Sequence, residues 1–401
     1  MNANDKPTLL LIDGHSLAFR AFYALSPDSF KTSAGQHTNA VHGFISMMLN
    51  ILQAEKPTHL AVAFDLSRSS FRTDEYPEYK GTRGETPPEF NGQTELLQKA
   101  LEAMNIRWIT KENYEADDVI ATLAQQGHDA NFDVYIVSGD RDTFQLISER
   151  TTILYPVKGV MNLARMDDAA VLAKYAVHAA QYPDLAALVG ETSDNLPGIP
   201  GVGPKTAAKW LQEFGSLEAI FERAAEIGGK VGESLREHMP LAVRNRRLNR
   251  LVRDLELPLG LGDFTLGGVN EEQVRKVFAS LEFRTLTERV LRLRGVSGDS
   301  QASKPAAAET ESEEAIQTAH LDLPDSQTST AADAINWAKV QGAVGLHLEF
   351  TGSTISALGL ATIDRRMSAS IASADVELVE QWLASDSAKT VFAAKDLQRK
   401  L

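Results

Sequence analysis

Thr8-Leu9-Leu10-Leu11-Ile12-Asp13 is a short apolar run closed by a carboxylate, too short for a helix of its own and rich enough for a buried strand. The same form recurs twice. Leu60–Phe64 is followed by Asp65, and Val134–Val137 is followed by Ser138-Gly139-Asp140. Between these runs, Ala40–Leu52 and Ala116–Ala124 carry apolar residues at helical spacing. Strands alternating with helices predict an α/β fold with a parallel sheet flanked by helices. In such sheets the carboxyl ends of the strands line the crevice where ligands bind. One aspartate there reads equally well as the cap of the following helix. Three at equivalent places predict a site.

Further acids fall in tight groups: Glu115, Asp117 and Asp118 at the start of a predicted helix, Asp142 two residues after Asp140, and Glu191 with Asp194. Residues 115 and 118 share a helix face, while 117 points elsewhere unless it lies in the first turn. Acids near a helix start are also favoured by the helix dipole, which leaves a structural reading open. Nine carboxylates in one crevice repel one another unless cations neutralise them. An all-oxygen set without His or Cys suits Mg²⁺ or Mn²⁺, and two such ions about 4 Å apart serve phosphodiester hydrolysis.

Pro197–Ala207 (PGIPGVGPKTA) places Gly198, Gly201 and Gly203 just before Lys205. Glycines let the backbone approach a phosphate, and a helix beginning near Pro204 aims its free N–H groups outward. The pattern lacks the Gly-Lys-Ser/Thr ending of a nucleotide-binding loop. Between Asp65 and Glu115 lie Phe71-Arg72, Tyr79-Lys80-Gly81-Thr82-Arg83 and Pro87-Pro88. This basic and aromatic segment reads either as an arch over the crevice, with cations on phosphates and rings on bases, or as a solvated loop. Arg244–Arg253 reads as a basic amphipathic helix, facing duplex DNA or solvent. The histidines show no metal-ligand spacing.

The net charge of -14 argues against a nucleic-acid partner only if it is spread evenly. From Gly295 onward there are 15 Asp+Glu against 8 Lys+Arg, which leaves 39 against 32 before it. With the clustered acids on metal ions, the earlier part is near neutral. The absence of cysteine excludes disulfides, zinc–thiolate sites and thiol catalysis, and points to a reducing cytoplasm. The start has no basic flank, which argues against a signal peptide, and no run is long enough to span a membrane.

The ordered set Asp13-Gly, Asp65, Phe71-Arg72, Tyr79-Lys80-x-x-Arg83, Glu115-Ala-Asp-Asp118, Ser138-Gly-Asp-Arg-Asp142 and Ser193-Asp-Asn-x-Pro-Gly-x-Pro-Gly-x-Gly203 resembles the 5′-nuclease domain of bacterial DNA polymerase I, which is similar to the flap endonucleases. The resemblance covers about residues 8–292. It implies a PIN-like core with a helix-hairpin-helix DNA clamp. The implied activity is two-metal hydrolysis of 5′ flaps and of nucleotides ahead of a nick, in primer removal and repair.

Carried over, Asp13, Asp65 and Asp117 hold a first metal with Glu115 close by. Asp140, Asp142 and Asp194 hold a second, with Asp118 and Glu191 in support. Glu191 stands where many relatives have Asp. Lys80 and Arg83 match residues at the scissile phosphate, and Phe19 and Arg20 match a pair beside the active site. Arg72 and Tyr79 belong to the DNA-facing arch. Gly198, Gly201 and Gly203 match a hairpin that binds K⁺, with Lys205 on the DNA backbone. Residues 335–401 resemble the start of a 3′–5′ exonuclease domain, with His347 where a proofreading domain has its first acid.

The expected division is a nuclease core at 1–175, a helix-hairpin-helix subdomain at 176–294, a disordered acidic linker at 295–333 and a truncated α/β unit at 334–401. The unit is expected to stop before completing a core. Expected partners are flapped, nicked or branched DNA and RNA-primer/DNA hybrids, met as a monomer. An inactive DNA-binding scaffold and a PIN-like ribonuclease are the competing readings.

Overall fold

The computed structural model describes residues 6–82, 84–158, 162–295, 326–328, 330–339, 344–351, 354–361, 366–371, 375–383 and 389–391. They fall into two compact units, residues 1–302 and 303–401.

In the first unit, β1 (Thr8–Asp13) pairs in parallel with β2 (His59–Ala63) on one side and β4 (Asp133–Val137) on the other. β3 (Arg107–Ile109), β5 (Thr151–Lys158) and β6 (Asn162–Met166) complete a sheet of order β3-β2-β1-β4-β5-β6, with only β6 antiparallel. Strand order therefore reverses at β1, the place where an open α/β sheet forms its crevice. In chain order the first helices are α1 (Gly14–Ala24), α2 (Asn39–Glu55), α3 (Phe71–Glu75), α4 (Gln93–Ala103) and α5 (Ala116–Asp129).

Both faces of the sheet are covered, so β1 is an unbroken apolar run and not an alternating one. Leu9 and Leu11 pack with Val119, Ile120 and Leu123 of α5. Leu10 and Ile12 pack on the opposite face with Leu17 of α1, Phe44 and Met48 of α2 and Leu97 of α4.

Seven α-helices follow: α6 (Asp168–Tyr175), α7 (Tyr182–Val189), α8 (Pro204–Phe214), α9 (Leu217–Glu222), α10 (Gly229–Leu248) and, after an irregular stretch, α11 (Glu271–Ser280) leading to α12 (Arg284–Arg294). They do not form a separately cored subdomain. Leu211 of α8 and Leu235 of α10 join the core behind Leu9, while Phe278 of α11 and Val290 of α12 join the core behind Leu10. The helix expected over Arg244–Arg253 ends at Leu248. Beyond it the chain carries no regular secondary structure, and its backbone groups bond to neighbouring side chains described below.

In the second unit, β7 (Ser326–Thr328), β8 (Val344–Thr351), β9 (Thr354–Ala361), β10 (Arg366–Ser370) and β11 (Lys389–Val391) form a sheet of order β11-β8-β9-β10-β7. Ala334 and Ile335 of α13 (Ala331–Lys339) and Val379 and Trp382 of α14 (Val376–Leu383) pack with Leu346, Leu358 and Leu360 of the sheet. Two expectations are corrected here. A strand and a helix already occupy residues 326–328 and 331–333, inside the expected linker. The unit also closes a small core, because helices from both ends of its sequence cover the same strands. The rest of the expected linker, residues 296–325, lies outside the described residues.

Candidate active site

Asp13 ends β1, and its Oδ1 accepts the Ser16 amide at 2.9 Å to cap α1. Asp65, just past β2, accepts the Ala116 amide at 2.7 Å at the start of α5. Asp140, just past β4, accepts the Asp142 amide at 2.8 Å. Asp13 and Asp140 thus cap the turns that follow their strands, whereas Asp65 binds the start of the more distant α5. All three stand at the same edge of the sheet.

A cleft of about 1460 Å³ runs across that edge, bordered by Asp13, Asp65, Glu115, Asp117, Asp140 and Glu191, with Lys80 on its rim. Asp142 and Asp194 lie just beneath it, 6% and 4% exposed. The acids form two overlapping groups. Asp13 feels the charges of Asp65 and Asp140, and Asp117 those of Asp13 and Asp140. Asp142 feels Asp140, Glu191 and Asp194. Asp140 belongs to both groups. Burial, reinforced by these like charges, pushes Asp13 and Glu191 up to about 7 and raises Asp117 and Asp142 well above the carboxylate range.

Oδ1 of Asp117, Oδ1 of Asp142 and Oε2 of Glu191 are buried without a hydrogen-bond partner. A buried acceptor left so is costly, and a hard cation satisfies it. The donor set therefore fits Mg²⁺ or Mn²⁺. The side chains are not drawn into a finished shell: among the described residues, no three acids or histidines close around one point tightly enough to enclose an ion.

Several side chains that the sequence singled out have other work. Arg72 is 1% exposed and Asp118 fully buried. The Arg72 fork donates to both Asp118 oxygens at 2.7 and 2.8 Å, and its Nε donates to the Leu248 carbonyl at 2.6 Å. Arg72 therefore does not face DNA, and Asp118 has no oxygen left for a metal. Tyr79 is likewise buried, its hydroxyl set between Asp194 at 3.1 Å and Glu115 at 3.3 Å, so it positions acids and stacks on no base. Lys80 donates to Glu115 at 3.0 Å and reaches the cleft from a backbone with φ of 55°. Arg83 lies outside the described residues.

Phe19 stacks on Phe90 at 4.2 Å, and both border the cleft together with exposed Tyr23. Arg20 follows on α1 but is not among the described residues that line the cleft.

The hairpin after α7 explains its glycines unequally. A Cβ on Gly198 would sit 1.9 Å from the Val189 carbonyl oxygen, so this glycine is required by a chain crossing. Gly201 has φ of 80°, and Gly203 opens α8 with no side-chain cap and nothing within 4 Å of a Cβ. Lys205 is exposed in the first turn of α8.

Two further residues, assigned no role from the sequence, join the site. The hydroxyl of Ser138 donates to Asp13 at 3.1 Å and accepts the Asp140 amide at 3.0 Å, joining the two acid groups. His15 Nδ1 lies 3.5 Å from the Asp65 carboxylate, yet burial lowers its pKa and it accepts the Asp65 amide at 3.2 Å. A neutral ring making a hydrogen bond describes the contact better than an ion pair.

Comparison with known proteins gives matches over this region. Residues 8–176 match a family model described as 5′-3′ exonuclease, N-terminal resolvase-like domain, and residues 177–272 match 5′-3′ exonuclease, C-terminal SAM fold. The chain is 50% identical over 285 residues to DNA polymerase I of Mycobacterium tuberculosis, covering 71% of this chain and 32% of that protein. It is 39% identical over 287 residues to DNA polymerase I of Bacillus subtilis, again covering 71% and 32%. The chain thus spans about a third of the length of these relatives. Among solved structures, bacteriophage T5 5′-exonuclease with bound zinc shares the fold at a TM-score of 0.51 and 20% identity, covering 72% of this chain and 99% of that one. Among the described residues, no helix is long and apolar enough to cross a membrane.

Proposed function

We propose, because the chain belongs to the 5′–3′ exonuclease family, that it hydrolyses DNA phosphodiesters from the 5′ side, as an exonuclease and as a flap endonuclease. The observation that carries this reading is the crevice at the β1 switch point, where buried carboxylate oxygens without partners face an open cleft beside Lys80. Asp13, Asp65 and Asp117 would hold one divalent cation, and Asp142, Glu191 and Asp194 a second, with Asp140 between them. Mg²⁺ or Mn²⁺ bound there supplies an activated water and stabilises the leaving oxygen.

The chain's own groups do the rest. Lys80, held by Glu115 at the rim of the cleft, offers a positive charge to the scissile phosphate, with Arg83 and Arg20 as further candidates. The Phe19–Phe90 stack supports the base next to the cut, since ring faces accept any base. The open N-terminus of α8, Gly201, Gly203 and Lys205 grip the backbone of a duplex arm without reading its sequence. Carbonyls of that hairpin are a candidate K⁺ site.

The relatives' identity supports placing the chain as the N-terminal part of a DNA polymerase I. There it would act as a cytoplasmic monomer on flaps, nicks and RNA-primed strands in replication and repair. A bacteriophage T5 flap endonuclease was solved with DNA and metal ions, which favours this substrate over the RNA of a PIN-like ribonuclease. The retained acids argue against an inactive scaffold.

The deciding experiment incubates the chain with an end-labelled 5′-flap duplex in Mg²⁺ or in EDTA. Cleavage near the flap junction in Mg²⁺ alone is expected. An intact flap in Mg²⁺ overturns the assignment.

A further inference from the structure

The irregular stretch after α10 passes beneath both acid groups and bonds to a residue beside each. Under the first group, the Val252 amide donates to Asp118 Oδ1 at 3.0 Å, and the Leu248 and Arg250 carbonyls accept Arg72 at 2.6 and 3.1 Å. Asp118 is the immediate neighbour of Asp117. Under the second group, the Leu251 amide donates to Gln145 Oε1 at 3.1 Å, and Gln145 Nε2 donates to the carbonyls of Asn249 at 2.8 Å and Asp142 at 2.9 Å. Consecutive amides of one strap, at 251 and 252, thus hold the carriers of two acids that the sequence separates by 25 residues.

The strap is itself fastened. Asn249 Nδ2 donates to the Pro183 carbonyl at 2.9 Å, and Asn245 Nδ2 donates to the Pro197 carbonyl at 2.8 Å, beside the glycine hairpin. Asn245 and Asn249 are buried, so these bonds are shielded from water.

We propose that the Asn249–Val252 strap sets the spacing of the two acid groups, with Gln145 and the Arg72–Asp118 pair as its positioning residues. The physical reason is rigidity. Like-charged carboxylates drift apart unless their backbones are fixed, and the strap ties the Asp118 carboxylate to the Asp142 carbonyl through two consecutive amides and Gln145. Partners one bond removed from ligating groups typically change metal affinity by about 10- to 100-fold. The proposal rests on the reading of the cleft as a divalent-metal site.

The test measures Mn²⁺ binding to the full chain by calorimetry, without DNA and without turnover. Gln145→Met keeps the side-chain volume while removing all three hydrogen bonds. It is expected to weaken Mn²⁺ binding by roughly tenfold and to shift the Mg²⁺ concentration for half-maximal flap cleavage upward in step. Flap binding in EDTA should stay at the wild-type level. A folded Gln145→Met protein with wild-type Mn²⁺ affinity overturns the proposal. A second measurement needs no variant: in the wild type, Mn²⁺ should slow hydrogen exchange of the Leu251 and Val252 amides more than that of Val274 in α11. Equal effects at the three sites overturn it as well. A wild type that binds no Mn²⁺ at all instead overturns the metal-site reading on which the proposal stands.

Discussion

Asp117 borders the cleft with a buried oxygen that has no partner, whereas Asp118, one residue on, has both oxygens taken by Arg72 and by the Glu115 and Val252 amides. The same contrast separates the wall of the cleft from its floor. The wall collects negative charge that Lys80, paired with Glu115, offsets only in part. In the floor, the buried ions are matched one to one and their remaining hydrogen-bonding positions are filled. A charged wall is held in place only by a floor that is satisfied without it, so function and stability sit on adjacent residues.

Substitutions on either side separate the two roles. The largest effect is expected at Asp140, which belongs to both acid groups: Asp140→Ala should abolish Mg²⁺-dependent flap cleavage while leaving flap binding in place. Since it removes one of several repelling charges, its metal-free melting temperature should equal or exceed that of the wild type. A large drop in melting temperature would place Asp140 with the floor instead.

Arg72→Ala should do the opposite, costing about 3–5 kcal/mol in urea-denaturation stability by stranding a buried carboxylate. A loss below 1 kcal/mol, with DNA affinity reduced, would return Arg72 to the DNA-facing role that its sequence context suggested.

The smallest effect sharpens the same contrast within the glycine hairpin. Gly198→Ala should destabilise the fold by more than about 1 kcal/mol, because the new methyl group meets the Val189 carbonyl. Gly203→Ala, with open space around it, should leave stability near the wild-type value and lower flap affinity only. Matching melting temperatures for the two variants would remove the distinction between a packing glycine and a backbone-gripping one.

The sequence by itself determined the sheet and its ligand edge. Apolar runs of strand length, separated by helical periodicity and ended by Asp13, Asp65 and Asp140, encode a doubly covered parallel sheet with acids at one end, because burial of both faces demands that pattern. The start of α8 near Pro204 was legible for an equally local reason: proline suits a first helical turn and glycine a tight approach.

The partner of each polar side chain was decided only by the tertiary structure. Arg72 and Asp118 are 46 residues apart, and the Arg72 contact to Leu248 spans 176; no spacing rule links them. Tyr79 reads in sequence as a base-stacking ring, whereas the fold sets its hydroxyl between two acids. Glu115-Ala-Asp-Asp118 offers three carboxylates of similar chemistry, and the fold gives one to Lys80, one to the cleft and one to a buried guanidinium. A charge's role depends on its distance to the opposite charge and on the water excluded between them, and both are set by packing across the whole chain.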